Sequence, residues 1–238
     1  MMAPADTKVI VTFGDSITDG TASTLNGDDR WPNVLSRRLA AAGKHAVVLN
    51  AGIGGNQVTG PAEYSPQKPF AGGPNAAMRF ERDVLALSGV TAMIWLEGIN
   101  DFSRNGTANA DQVQAGMKDI VGRIRAKNSK IAIFGATVTS ALNSTNPASG
   151  SPEQDASRKK LNEFIRSGDL FDGVVDFDKA AGDPATGELK AEFVPESTTG
   201  GPGDKLHPNR AGYLAMGNAV DLDMVTGKSA KAADAKKK

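Results

Sequence analysis

Five short apolar runs alternate with segments of helical periodicity along almost the whole chain. The runs are KVIVTF (8–13), AVVLN (46–50), TAMIWLEG (91–98), KIAIFGATV (130–138) and DGVVDF (172–177). Their apolar residues are largely continuous rather than alternating, which is typical of parallel strands that are covered on both faces. The runs therefore predict five strands of one buried parallel sheet.

The segments between and after these runs predict helices. They are 31–43, about 75–88, 110–128, the stretch that begins at Pro152 after Ser151, and 207–225. Apolar residues recur every three or four positions in 110–128, and Ser151 before Pro152 is a typical helix start. Repeated alternation of strand and helix implies right-handed crossovers, so we predict one α/β domain with three α/β/α layers.

No break in composition divides the 238 residues. We predict a single domain over residues 8–226, preceded by a flexible N-terminus (1–7) and followed by a disordered tail (227–238). The tail GKSAKAADAKKK consists of small and charged residues without apolar periodicity, which is typical of a solvated chain end.

Composition and charge argue against several classes of function. Basic and acidic residues number 27 each, so nothing favours nucleic acid or an anionic membrane as a partner. The absence of cysteine excludes disulfides and thiolate chemistry, and no apolar run is long enough to span a membrane. The start, MMAPADTK, is not an intact signal peptide. The doubled methionine is what an added start codon on a processed chain would leave. Two locations therefore stay open: secreted or periplasmic after signal removal, or cytoplasmic.

A serine stands directly after the first predicted strand, in VTFGDSITDG (11–20). Open α/β sheets bind ligands beyond the carboxyl ends of their strands, which is where Ser16 is expected. A serine hydroxyl needs a base to become a nucleophile, and the chain offers two histidines. His45 is expected at the amino end of the second strand, whereas His207 lies in the loop GPGDKLHPN at the correct edge. His207 is therefore the candidate base.

Three further segments offer the other parts of a serine mechanism. Asp204 precedes His207 by three residues, a spacing that lets a carboxylate reach the imidazole in a tight turn. The loops NAGIGGN (50–56) and EGIND (97–101) follow the second and third strands and offer glycine N–H groups and the Asn100 amide to an oxyanion. Each signal also fits a plain turn or helix cap when taken alone.

The ordered blocks FGDSITDG, NAGIGGN, GIND and DKLHP, which span residues 13 to 208, resemble those of the SGNH hydrolase superfamily, also called GDSL esterases and lipases. The resemblance implies a flavodoxin-like sheet of five parallel strands. It implies that Ser16 is the nucleophile and first oxyanion donor, with Asp204 and His207 completing the catalytic triad. Gly55 would be the second donor, with Gly52 and Gly54 as register alternatives, and Asn100 the third.

The function expected from this resemblance is hydrolysis of short-chain carboxylic esters through an acyl-enzyme intermediate, without a metal or organic cofactor. The substrate stays open between a small-molecule and a carbohydrate-linked ester, and lipase or thioesterase activity suits the same catalytic set. Competing hypotheses are a two-metal phosphoesterase, for which two histidines are few, and a non-catalytic flavodoxin-like ligand-binding domain. Tyr64, Phe70 and Phe102 either line an acyl pocket or pack locally, and the oligomeric state is open.

Overall fold

The computed structural model describes residues 4–227 and shows five parallel strands in one sheet. The strands are β1 (Lys8–Gly14), β2 (Ala46–Gly52), β3 (Val90–Leu96), β4 (Ala132–Ala136) and β5 (Gly173–Val175), in the order β2-β1-β3-β4-β5. Gly14 at the end of β1 pairs with Gly52 of β2 and with Leu96 of β3. The carboxyl ends of the three strands that lead into the candidate loops therefore lie side by side.

Within the described part of the chain, eight α-helices connect and flank the strands. They are α1 (Ser16–Asp19), α2 (Trp31–Ala41), α3 (Ala76–Phe80), α4 (Ala110–Lys127), α5 (Pro152–Ser167), α6 (Phe177–Ala181), α7 (Arg210–Ala219) and α8 (Leu222–Thr226). A π-helical turn, Glu81–Leu85, extends α3, and a 3₁₀ turn, Ala191–Phe193, precedes the last loop. Helices lie on both sides of the sheet, which confirms the three-layer α/β/α prediction.

Local sequence accounts for where the longer helices begin. Asn109 and Gln112 form a reciprocal capping box at the start of α4, and the Ser151 side chain accepts the N–H of Gln154 at the start of α5. The prediction of one helix over 207–225 is wrong. It divides into α7 and α8 because Val220 leaves the helical conformation and the Asp221 side chain caps a new start.

The apolar core fills the space between the sheet and its two helical layers. Phe13 of β1 and Trp95 of β3 meet edge to face with ring centroids 6.0 Å apart, and both side chains are buried. On the outside of the sheet, α2 packs against α7 and α4 packs against α5. The core thus fixes the sheet and leaves the loops at its carboxyl edge to form the site.

Within residues 4–227, no helix is both long enough and apolar enough to cross a membrane. Residues 1–3 of the predicted flexible N-terminus and 228–238 of the predicted disordered tail lie outside the described part of the chain.

Candidate active site

Ser16 opens the short helix α1 immediately after β1. The Asp15 side chain caps this helix by accepting the N–H of Ile17 at 2.9 Å. Gly14 ends β1, and the position needs a glycine because a Cβ there would overlap the carbonyl oxygen of Leu96 on β3. Ser16 therefore stands at the carboxyl edge of the sheet, where its residue is 7 % exposed.

Ser16, His207 and Asp204 form one continuous hydrogen-bonded chain. Ser16 Oγ lies 2.8 Å from His207 Nε2, although the two residues are 191 positions apart in the sequence. His207 Nδ1 lies 2.6 Å from Asp204 Oδ2. The other histidine, His45, is an exposed residue just before β2 whose Nδ1 lies 3.0 Å from Asp6 Oδ1. The structure thus brings His207 to the serine and leaves His45 apart from it.

The loop that carries Asp204 is held on both sides. Gly203 adopts φ +67°, and a Cβ there would overlap the carbonyl oxygen of Val194. The Asp204 carbonyl accepts the N–H of Thr145 at 3.0 Å and the hydroxyl of Ser144 at 2.6 Å. Burial tends to raise the pKa of Asp204, but hydrogen bonds and the charge of His207 outweigh it and lower this pKa to about 2. Its carboxylate is therefore ionised at neutral pH.

The three residues predicted to hold the oxyanion, Ser16, Gly55 and Asn100, line one cleft together with His207. Within residues 4–227, the backbone N–H groups of Ser16 and Gly55 have no hydrogen-bond acceptor. The Asn100 side-chain amide donates one N–H to the carbonyl oxygen of Asn56 at 3.0 Å, and among the described residues its second N–H has no acceptor. Of the alternative glycines, Gly52 already donates its N–H to Asn50 Oδ1, and neither Gly52 nor Gly54 lines the cleft as Gly55 does.

An open cleft of about 230 Å³ contains these groups. Besides the site residues already described, polar side chains dominate its lining: Thr21, Ser103, Asn105, Asn146 and Ser149, with Ala148 and Leu206 as the apolar members. Tyr64, Phe70 and Phe102 are not among the lining residues, and Phe102 packs against the core instead. The cleft at the candidate site is thus small and lined mainly by polar side chains.

Two buried carboxyl groups are sequence neighbours of the site residues, and a third lies close to them. Burial raises the pKa of Asp15 to about 8; the Ile17 N–H opposes this shift, and the charges of Glu97 and Asp101 add to it. Burial likewise raises the pKa of Glu97 to about 7 against the attraction of Arg79, and it raises the pKa of Asp101. Burial and neighbouring charges account for these three pKa shifts without a catalytic role for the carboxyl groups.

Among residues 4–227, no group of three or more histidine, aspartate or glutamate side chains is arranged to hold a metal ion.

The sequence matches the GDSL-like lipase/acylhydrolase family over residues 12–215. The chain belongs to this family. The match covers all four blocks that carry the site, from Ser16 to His207, and it makes the GDSL-like chain a hydrolase. No curated protein sequence matches the chain.

Solved structures share the fold of this GDSL-like hydrolase at low sequence identity. A carbohydrate acetylesterase family member from Sinorhizobium meliloti is 19% identical with a TM-score of 0.68, and the alignment covers 92% of this chain and 99% of that one. The lipase/acylhydrolase from Enterococcus faecalis is 22% identical (TM-score 0.65, 93% and 96% coverage). The M. smegmatis aryl esterase is 17% identical (TM-score 0.65, 89% and 95% coverage).

Sequence reasoning missed the residues that shape and support the site. Asn146 and Ser149 lie in a loop, 137–150, for which the sequence carries no functional signal. Asn56, in the loop 50–56, and Arg79, on α3, are both fully buried. From the sequence alone, Asn56 looks like a turn residue and Arg79 like a charged surface residue of a helix. Strand-end position found the residues with reactive groups, whereas their supports become visible only in three dimensions.

Proposed function

We propose that this GDSL-like hydrolase is a serine esterase that cleaves short-chain carboxylic esters through an acyl-enzyme. The observation that carries the proposal is the continuous Ser16–His207–Asp204 chain, at 2.8 and 2.6 Å, in a cleft that Gly55 and Asn100 also line. A nucleophile, a base with its orienting carboxylate and an oxyanion site together form the set that acyl transfer needs.

The first half-reaction forms the acyl-enzyme. Ser16 Oγ attacks the ester carbonyl carbon while His207 Nε2 takes the hydroxyl proton, and Asp204 stabilises the imidazolium through Nδ1. The tetrahedral intermediate then collapses, and the bond to the alcohol oxygen breaks as His207 returns the proton to the leaving alkoxide. The alcohol departs and the acyl group stays on Ser16.

The second half-reaction regenerates the enzyme. His207 takes a proton from a water molecule, the resulting hydroxide attacks the acyl carbon, and a second tetrahedral intermediate forms. Its collapse releases the carboxylic acid and returns the proton to Ser16 Oγ. In both intermediates the oxyanion accepts hydrogen bonds from the N–H groups of Ser16 and Gly55 and from the Asn100 amide.

Cleft size and lining support a small acyl group on a polar alcohol. A cleft of about 230 Å³ with five polar side chains offers little apolar surface to a long acyl chain. The fold neighbours include proteins described as a carbohydrate acetylesterase and an aryl esterase. We propose an acetyl-type ester, with carbohydrate acetylesterase activity ahead of lipase or thioesterase activity.

Hydrolysis of p-nitrophenyl esters from C2 to C16 tests the proposal, with wild type beside Ser16→Ala. We expect activity that falls steeply beyond C4 in wild type and disappears in Ser16→Ala. Ser167→Ala is the matched control, because its hydroxyl bonds the Phe164 carbonyl at the exposed end of α5. Equal activity in wild type and Ser16→Ala would show that another group is the nucleophile.

The alcohol side is tested with acetylated xylan against tributyrin. Faster release of acetate from the polysaccharide than of butyrate from tributyrin supports the carbohydrate-linked substrate. Faster hydrolysis of tributyrin than of the polysaccharide would contradict the polar alcohol.

A further inference from the structure

One buried guanidinium links the segments that carry all three oxyanion donors. Arg79 lies on α3, its side chain is fully buried, and it stacks on Phe13 with 3.6 Å between the guanidinium carbon and the ring centroid. Its nitrogens donate to the carbonyl oxygens of Gly14 and Ala51, each at 2.8 Å, and to Asn56 Oδ1 at 2.7 Å.

Each acceptor lies close to a donor in the chain. Gly14 ends β1 two residues before Ser16, and Ala51 lies in β2 four residues before Gly55. Asn56 follows Gly55 directly, and its carbonyl oxygen holds the Asn100 amide at 3.0 Å. The Arg79 guanidinium therefore connects the carboxyl ends of β1 and β2 with Asn56, whose carbonyl oxygen accepts the Asn100 amide.

Asn56 transmits this constraint because its side chain has a single acceptable orientation. Oδ1 accepts from Arg79, while Nδ2 donates to the carbonyl oxygens of Gly72 at 2.6 Å and Pro74 at 2.7 Å. A flipped amide would set a donor against Arg79 and an acceptor against two carbonyl oxygens. The peptide that follows Gly55 is consequently fixed in direction.

The charge around Arg79 argues for the arginine fork in particular. Glu97 Oε1 lies 3.7 Å from its Nη2, and Asp83 Oδ2 lies 3.0 Å from its Nη1. Although burial tends to raise the pKa of Asp83, hydrogen bonds from Arg82 and Arg79 hold this pKa below its usual range. Its carboxylate therefore balances the charge of Arg79, and the planar fork serves acceptors in three directions at once. A lysine would supply the charge as a point without that geometry.

We propose that Arg79 is a positioning residue that sets the spacing of the oxyanion donors on Ser16, Gly55 and Asn100. It acts through Gly14, Ala51 and Asn56 and does not contact substrate. The inference rests on the proposed esterase function.

The test compares an ester with its thiono analogue, p-nitrophenyl acetate against p-nitrophenyl thionoacetate. Donors spaced for an oxyanion fit the larger sulfur poorly, so the ratio of the two kcat/KM values reports on donor placement. A smaller fraction of folded, active protein lowers both apparent kcat/KM values by the same factor and leaves their ratio unchanged. The ratio thus separates positioning from a merely structural role.

For Arg79→Lys we expect kcat on the oxygen ester to fall about 10–100-fold with little change in KM, as for a catalytic group displaced by a fraction of an ångström. The oxygen-to-sulfur ratio falls at least about tenfold with it. Asn56→Asp, which keeps the acceptor for Arg79 but loses both donations, lowers the ratio as well. It carries the test if Arg79→Lys does not fold.

The matched control is Arg158→Lys. Arg158 is another buried arginine, bonded to the carbonyl oxygen of Val138 at 3.0 Å and paired with Asp155, away from the oxyanion donors. We expect its ratio to equal that of wild type.

Asn100→Ala serves as the reference for a lost donor. A wild-type ratio in folded Arg79→Lys, alongside a lowered ratio in Asn100→Ala, would overturn the positioning role and leave the esterase proposal intact. A wild-type ratio in Asn100→Ala as well would overturn the oxyanion assignment itself, and the role of Arg79 with it.

Discussion

Asp204 divides its two carboxylate oxygens between the backbone and His207. Oδ1 accepts the N–H groups of Leu206 at 2.9 Å and His207 at 2.8 Å, while Oδ2 lies 2.6 Å from His207 Nδ1. The carboxylate cannot rotate without losing two backbone hydrogen bonds. The orientation of the imidazole is therefore set by the same turn that places His207 beside Ser16.

This division predicts the effect of Asp204→Asn. The amide keeps its oxygen toward the two backbone N–H groups and turns its NH₂ toward Nδ1, which must then act as an acceptor. The histidine proton moves to Nε2 and points at Ser16, so His207 can no longer take the serine proton. We expect kcat to fall about 10³–10⁴-fold with KM little changed. Steady-state kinetics on p-nitrophenyl acetate measures this, and a loss below tenfold would contradict the assigned tautomer.

Asn100→Ala removes one proposed oxyanion donor. We expect kcat to fall about 10²–10³-fold while KM changes little, because the donor acts mainly on the charge of the transition state. The control is Asn105→Ala, which lines the same cleft without a place among the three donors. Near wild-type kcat in Asn100→Ala would remove Asn100 from the oxyanion site.

Gly203→Ala tests how tightly the Asp204 loop is held. Gly203 and Gly200 both have a positive φ, of +67° and +69°. A Cβ at Gly203 would overlap the carbonyl oxygen of Val194, whereas a Cβ at Gly200 would have no surrounding atom within 4 Å. Gly200→Ala therefore costs only backbone strain, about 1–2 kcal/mol of unfolding free energy. Gly203→Ala should cost more and lower kcat, because the backbone beside Asp204 must shift. Equal thermal stability and activity in the two variants would show that this contact is not tight.

Asp15→Asn should change how stability depends on pH. Below the pKa of about 3.8 in the unfolded chain, the carboxyl is protonated in both states. As pH rises from there to the folded value of about 8, the unfolded chain loses its proton while the folded protein keeps it, and wild type loses stability. For one such carboxyl, the unfolding free energy falls by about 1.4 kcal/mol for each pH unit in that interval.

The asparagine carries no such penalty and still offers an oxygen to the Ile17 N–H. We expect the stability of Asp15→Asn relative to wild type to increase between pH 5 and pH 8 in urea unfolding. A constant difference over that range would show that Asp15 ionises normally.

The sheet and the main residues of the site could be predicted because their signals are local. Each strand is a continuous apolar run, and the parallel arrangement then places every following loop at one edge. Ser16 and His207 meet there, while their catalytic roles stay predictions. The division of the last helix escaped prediction because apolar periodicity continues across Asp221, and only the cap marks the break.

The supports of the site could not be predicted, because their partners are distant in sequence. Arg79 bonds a carbonyl oxygen 65 residues away and another 28 residues away, and backbone acceptors leave no trace in residue type. The cleft residues Ser103 and Asn146 come from loops whose placement depends on tertiary packing. A sequence shows which reactive side chains a protein carries, but it does not show which backbone carbonyl groups those side chains will contact.

The distance along the chain between Ser16 and His207 has a consequence during synthesis. The nucleophile and all three proposed donors are made early, but the base arrives with the last helices, where Tyr213 of α7 donates its hydroxyl to the Thr21 carbonyl at 2.7 Å. A nascent chain that ends before Asp204 would lack both the proposed base and its orienting carboxylate. Ester hydrolysis would begin only when α7 docks, so enzyme activity would report the completion of folding.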